Sequence, residues 1–184
     1  MAERRDLLAE GERATLCQAA SERLAALPVF ASAGTISGFV AIQNEIDPAA
    51  ALAAAGRRGA VVALPRVSHG VPRLRFHRAQ ASDTLVPGPF GLAEPAATAP
   101  EVDAEGIDLM LVPGLAFDLA GRRVGYGKGY FDEVAARIKG KGRGLLVGLA
   151  YDFQIVDRCP AGEGDVSVDW IVTDRRAVAC EARP

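Results

Sequence analysis

Residues 107–138 read IDLMLVPGLAFDLAGRRVGYGKGYFDEVAARI, and the order of residue types along them sets the fold. The first six are nearly all apolar, as in a strand covered on both faces. At the far end Tyr130, Val134 and Ile138 recur every four residues, so a helix is predicted to begin near Gly129. Between them Gly125, Gly127 and Gly129 alternate with Tyr126 and Lys128. An arginine pair precedes them and Asp132 follows. Strand, glycine-rich connection and helix together make one unit of an α/β fold.

The flanking sequence repeats that alternation. Residues 3–27 are predicted helical, with Leu16, Ala20, Leu24 and Leu27 forming one stripe and Pro28 marking the end. GTISGFVAI (34–42) is predicted as a strand. DPAAALAAAG (47–56) reads as a helix with Asp47 as N-cap and Pro48 at the first helical position. AVVALP (60–65), RLRF (73–76), GLLVGLA (144–150) and DWIVT (169–173) supply further strands. Residues 82–105, with Pro87, Pro89, Pro95 and Pro100, form a long connection. The fold class is α/β, a single-domain three-layer α/β/α sandwich with a mostly parallel sheet over residues 1–184.

Composition narrows the classes. The chain has 184 residues, 49% hydrophobic and 24% charged, with a formal net charge of −2. That balance argues against a general nucleic-acid binder. No run approaches ~18 apolar residues, so no membrane span is expected, and the charged N-terminus lacks the apolar core of a secretory signal. Cys17, Cys159 and Cys180 are an odd, widely spaced set, read as reduced thiols of a cytoplasmic protein. A monomer or weak homo-oligomer is expected. His69 and His77 read as surface or loop residues, Phe76 and Trp170 as core.

Charge is segregated. Arginines 57, 58, 66, 73, 75 and 78 fall in a stretch without acids. Asp83, Glu94, Glu101, Asp103, Glu105, Asp108 and Asp118 fall in one without Lys or Arg. Two solvated faces that pair with each other account for this; so does a basic rim for an anionic ligand.

The glycine segment fits neither familiar phosphate motif. A P-loop requires GxxxxGK[ST], but Gly129 follows Lys128. A dinucleotide fingerprint requires GxGxxG tight against a strand, whereas here the pattern is GxGxG. The segment can still grip phosphate. Its glycines can adopt positive φ and let the backbone approach closely. The helix start offers free N–H groups and a positive dipole end. Arg123 can donate a bidentate fork, Lys128 a point charge, and Asp132 can ligate Mg²⁺. The plainer alternative is a surface loop before a helix whose Asp132 and Glu133 favour the dipole.

The string PGLAFDLAGRRVGYGKGYFD (113–132) closely resembles the signature of 5-formyltetrahydrofolate cyclo-ligases, also called 5,10-methenyltetrahydrofolate synthetases. FVAIQNEID (39–47), LPRV (64–67), FGLAEP (90–95) and then Gln154, Pro160 and Asp165 follow in the family's order. The resemblance covers roughly residues 30–175 and implies an α/β/α sandwich. It implies cyclisation of 5-formyltetrahydrofolate, with or without a polyglutamate tail, at the expense of ATP and with Mg²⁺. Carried over, Arg123, Gly125, Tyr126, Gly127, Lys128, Gly129, Tyr130 and Phe131 would line the ATP phosphates. Arg123, Lys128 and Tyr130 would act at the reacting centre. Gly127 to Phe131 would also face the folate, with Val40 and Glu45 on the pterin. Asp132 and Asp165 would hold magnesium. Each contact residue has a bland rival: Glu45 a loop residue, Val40 strand core, Asp165 a turn residue.

Two departures stand out. Phe131 replaces the second of the family's usual two tyrosines, so one hydroxyl is missing. The family's basic opening stretch, Lys-x-x-Leu-Arg, has no full counterpart, so Arg4, Arg5 or Arg13 is expected to substitute at ATP, with Arg4 the first choice. Both departures leave open a relative that binds folate or another pterin without turnover.

Overall fold

The structure, a computed structural model, describes residues 1–67, 73–80, 83–127, 129–140, 144–162 and 164–181. In chain order its elements are α1 (Ala2–Asp6), α2 (Glu10–Ala25), α3 (Pro28–Ser32), β1 (Thr35–Ser37), α4 (Ala49–Arg57), β2 (Val61–Val67), β3 (Leu74–Arg78), β4 (Val86–Pro87), β5 (Ala93–Glu94), β6 (Glu101–Val102), β7 (Leu109–Val112), β8 (Ala116–Phe117), β9 (Arg123–Val124), α5 (Tyr130–Gly140), β10 (Leu145–Leu149), β11 (Trp170–Val172) and β12 (Ala177–Ala179). Eight strands form one sheet in the order β12-β11-β10-β7-β1-β2-β3-β6. The central pairs β11-β10, β10-β7, β7-β1 and β1-β2 are parallel. The pairs towards both edges are antiparallel.

Side-chain alternation makes three layers. Leu109 and Leu111 of β7 pack with Leu24, Phe30 and Leu52 from α2, α3 and α4. Met110 and Val112 of the same strand pack with Val134 and Ile138 from α5. The whole strand is therefore buried, and period 2 sends alternate residues to opposite layers.

Several expectations change. The N-terminal helix is two helices: Ala9 is extended at φ −63° and ψ 150°, so α1 turns away from α2. Pro28 starts α3 rather than only ending a helix, its fixed φ suiting a first turn. The 34–42 strand pairs only over Thr35–Ser37, and the chain then leaves the sheet. The start of α4 shifts as well: Pro48 is its N-cap and Ala49 its first helical residue, while Asp47 stands one residue earlier with its Oδ1 accepting from the Ala49 amide at 2.9 Å. His77 is buried on β3, not a surface residue, with Nδ1 2.7 Å from the Ala99 carbonyl.

The segregated charges pair with each other. Arg66 lies 3.5 Å from Glu94, and Arg75 3.5 Å from Glu101. Arg73 pairs outside the acidic stretch, 3.5 Å from Glu133 of α5. These partners support the paired-face account over a free basic rim.

From β1 the chain moves outward to β2, then returns to the other side of β1 at β7. The order reverses between β1 and β7, and in open sheets such a switch point opens a crevice beyond the strands' carboxyl ends. The loops leaving β1 and β7 therefore face one another.

The β8–β9 hairpin follows β7 and carries Arg123. Asp118 holds its turn: Oδ1 accepts from the Ala120 and Arg122 amides, and Oδ2 from the Cys159 amide and the Arg122 Nε. Burial raises the Asp118 pKa, but these donors outweigh it and the net direction is down. Gly121 closes the turn at φ +81°, and a Cβ there would run into the Val168 carbonyl oxygen. Gly121→Ala is expected to destabilise by about 2–4 kcal/mol from left-handed strain plus overpacking. For a chain of this size that lowers Tm by roughly 4–16 °C. An unchanged thermal melt would contradict this account of the turn.

Candidate functional site

A cavity of about 830 Å³ fills the switch-point crevice. The loop after β1 contributes Phe39, Val40, Ile42 and Glu45, and the segment after β7 contributes Pro113 and Arg123 to Gly127. Gly129 to Asp132 come from the start of α5, and Asp165 from the loop before β11. Leu92 to Glu94 close the side nearest β2. Val40, Glu45, Arg123, Gly125, Tyr126, Gly127, Gly129, Tyr130, Phe131, Asp132 and Asp165 thus share one cavity. Lys128 and His69 lie outside the described residues.

The β1 loop bends through two consecutive left-handed residues, Gln43 (φ 47°) and Asn44 (φ 56°). The Glu45 amide bonds back to the Ile42 carbonyl at 2.9 Å, closing a tight turn. Left-handed backbone costs a non-glycine residue roughly 1–2 kcal/mol. Tertiary anchors hold it: Arg13 donates to Asn44 Oδ1 at 2.8 Å, and Asn44 Nδ2 donates to Asp6 at 2.9 Å.

That turn aims Glu45, which is 5% exposed. Its Oε2 accepts from the Ile42 amide at 3.1 Å and its Oε1 from the Tyr126 hydroxyl at 2.7 Å. Arg5 approaches Oε1 at 3.7 Å and donates to the Tyr126 hydroxyl at 2.9 Å. Arg5 is fully buried, and it is α1 that brings it here. Arg4 instead lies over the Phe153 ring, 4.5 Å from its centroid, and does not line the cavity. The arginine of α1 that meets the glycine segment is therefore Arg5.

Burial raises the Glu45 pKa, against the lowering effects of the Tyr126 hydroxyl, the Ile42 amide and Arg5. Tyr126 is pushed up to about 12, by burial first and then by its hydrogen bond to Glu45. A raised Glu45 has a consequence for stability. From pH 4.5 up to its higher folded midpoint, the folded state keeps a proton that the unfolded chain has released. This carboxyl's contribution is complete below pH 4.5 and is lost as pH rises through that folded midpoint. The Tm difference between wild type and Glu45→Gln should therefore shift towards wild type on acidification; a constant difference across the window would refute it.

On the other wall Arg123, 8% exposed, places Nη2 2.6 Å from Asp132 Oδ1. Gly127 (φ +78°) and Gly129 (φ +66°) take the left-handed conformation expected of the loop. Gly125 does not; a Cβ there would lie 2.7 Å from Arg123 Nη1, so its role is to admit the guanidinium. Phe131 wedges between the two core layers as well as lining the cavity. Gln154, fully enclosed, pins the segment by donating to the Gly114 and Leu115 carbonyls at 2.8 and 2.9 Å.

Among the described residues no three His, Cys, Asp or Glu side chains converge as a metal cage. Asp132 uses Oδ1 for Arg123, and Asp165 uses Oδ2 for the Gly162 amide at 2.7 Å. Each keeps a second oxygen without a hydrogen bond among the described residues. Mg²⁺ is commonly held by one or two carboxylates plus phosphates and waters, so this pair fits that ion in the company of a nucleotide.

Sequence reasoning missed Asp118 and Glu94 as site-building residues, although both lie in quoted strings, PGLAFD and FGLAEP. A carboxylate inside an apolar run was the available signal.

Comparison with known proteins places the chain in a family. The model of the 5-formyltetrahydrofolate cyclo-ligase family matches residues 1–174, a range that takes in α1. The 5-formyltetrahydrofolate cyclo-ligase of Saccharomyces cerevisiae is 39% identical over 55% of this chain, a stretch that spans about half of that relative, 51%. The Escherichia coli K12 protein of the same name is 28% identical over 93% of this chain and 94% of its own. The NMR structure of Aquifex aeolicus 5,10-methenyltetrahydrofolate synthetase, 32% identical, superposes with a TM-score of 0.84 over 100% of this chain and 91% of that one. The chain belongs to the 5-formyltetrahydrofolate cyclo-ligase family.

Proposed function

We propose that this protein converts 5-formyltetrahydrofolate to 5,10-methenyltetrahydrofolate, with ATP as second substrate and ADP and phosphate as products. The observation that carries the reading is one cavity with two unlike walls. One wall presents Arg123, the glycine turn and the N-terminus of α5; the other presents the buried Glu45 carboxylate beside apolar Phe39 and Val40.

The chemistry asks for both. A formyl group on N5 is amide-like, and its oxygen is a poor leaving group. Transfer of the terminal phosphate to that oxygen makes it a good one. N10 of the same folate then closes the ring, an intramolecular attack favoured by proximity. Arg123 and the backbone amides at the start of α5 bind and orient the phosphates. Glu45 accepts hydrogen bonds from the pterin's amino and ring N–H groups. Tyr130 and Phe131 exclude water beside the reacting centre. Asp132 and Asp165 would hold Mg²⁺, which supplies charge neutralisation on the phosphates. Arg5 braces Tyr126 and Glu45 from behind without lining the cavity itself. The reading also includes a cytoplasmic, monomeric or weakly associating enzyme. Among the described residues no helix is long and apolar enough to cross a membrane.

The test mixes purified protein with ATP, Mg²⁺ and 5-formyltetrahydrofolate and follows methenyl-folate absorbance. Growth of that absorbance with stoichiometric phosphate release is expected. Folate binding without absorbance change would indicate a binder without turnover and overturn the proposal.

A further inference from the structure

Glu94 is 2% exposed, lines the cavity, and has no part in the chemistry above. Its Oε1 accepts from the Val67 amide at 2.9 Å. Its Oε2 is buried and has no hydrogen-bond partner among the described residues. Arg66 Nη1 stands 3.5 Å away, beyond hydrogen-bond geometry, because it donates to the Pro95 carbonyl instead. The carboxylate is also clamped from above: a Cβ on Gly88 would overlap the Glu94 side chain, so only glycine lets the β4–β5 hairpin close over it.

A buried carboxylate oxygen without a donor is costly, and folded proteins rarely keep one without reason. The Arg66 charge 3.5 Å away offsets part of that cost but donates its hydrogen bond elsewhere, and packing does not supply the rest, since an apolar side chain of similar size would fill the same space. A cavity-facing position does, because a ligand can bring the donor. The cavity is otherwise apolar on this side, with Leu92, Pro65 and Leu74 nearby. We infer that Glu94 is a second binding carboxylate, whose Oε2 accepts a hydrogen bond from a ligand N–H other than those taken by Glu45. The inference rests on the proposed folate substrate, whose reduced ring system and bridge carry N–H groups at both ends. Two carboxylates at separate points of the wall then fix the orientation of a flat ligand, which one alone cannot do.

Glu94→Gln tests this directly. Glutamine can keep the acceptor for the Val67 amide while presenting NH₂ where Oε2 stood, so a donor would face a donor. Titration with 5-formyltetrahydrofolate in the absence of nucleotide is expected to show Kd raised by about 10–100-fold. In turnover the KM for folate should rise by a similar factor, with kcat and the KM for ATP within about threefold of wild type. A purely structural role predicts instead a lower Tm with folate affinity unchanged, and that outcome overturns the inference. Where the glutamine variant does not fold, Glu94→Asp serves; it keeps the charge near Arg66 but withdraws the carboxylate, and an unchanged Kd for it is equally fatal. Wild-type controls separate the two proposals. Wild type that binds folate without turnover overturns the proposed reaction and leaves the Glu94 titration readable. Wild type that binds no folate overturns both.

Discussion

Arg123→Ala should lower kcat/KM for ATP by about 10³-fold, within the range seen when an arginine that stabilises phosphoryl-transfer charge is removed. The size follows from how firmly the guanidinium is held. It is 8% exposed, paired with Asp132, and admitted by the missing side chain of Gly125. The hairpin that carries it is fixed at its turn by Asp118 and at its entry by Gln154. Such a group arrives at the transition state without reorganisation. Arg123→Lys should recover only part of the loss, because an ammonium lacks the planar fork. Kinetics with ATP varied at saturating folate would check this, with Tm measured alongside. A loss under about tenfold would mean that the phosphates are gripped elsewhere.

Glu45→Ala should give the largest change in stability. Its carboxylate is the sole acidic partner recorded for fully buried Arg5 among the described residues, and it receives the Tyr126 hydroxyl and the Ile42 amide as well. Removing one member of a buried ion pair leaves the other uncompensated, at about 3–5 kcal/mol. Tm should fall by roughly 6–20 °C, and folate affinity should be lost with it. The double variant Arg5→Met with Glu45→Leu should melt higher than Glu45→Ala alone, since an apolar pair fills the space without a stranded charge. Additive losses in that thermodynamic cycle would show that the two side chains act independently.

Much of this arrangement was legible in the chain. The apolar run of β7, the four-residue spacing of α5 and the glycine string between them are local signals, and local signals survive folding. The alternation of strands with α4 and α5 gave the layered sheet for the same reason. What escaped were features decided by partners far along the sequence. Arg5 carries no mark distinguishing it from Arg4; only Tyr126 and Glu45 decide which is buried. The 34–42 segment has strand composition, yet the backbone leaves the sheet at Gly38, where a Cβ would strike Leu52, and becomes cavity wall instead. His77 reads as polar, but a carbonyl from the long 82–105 connection accepts its ring N–H. The charge segregation allowed two accounts, and only the pairing of Arg66 and Arg75 with Glu94 and Glu101 favours one of them.

The bond between Arg5 and Tyr126 joins residues 121 positions apart. During synthesis at about 5–20 residues per second, the first helix therefore waits about 6–24 s for its partner to be made. Glu45 is made earlier and can offset the arginine's charge, but the hydroxyl that bonds to both side chains arrives only with the glycine segment. On the ribosome the pocket cannot close until the glycine segment has emerged, because one wall comes from residues 39–45 and the other from residues 113–132.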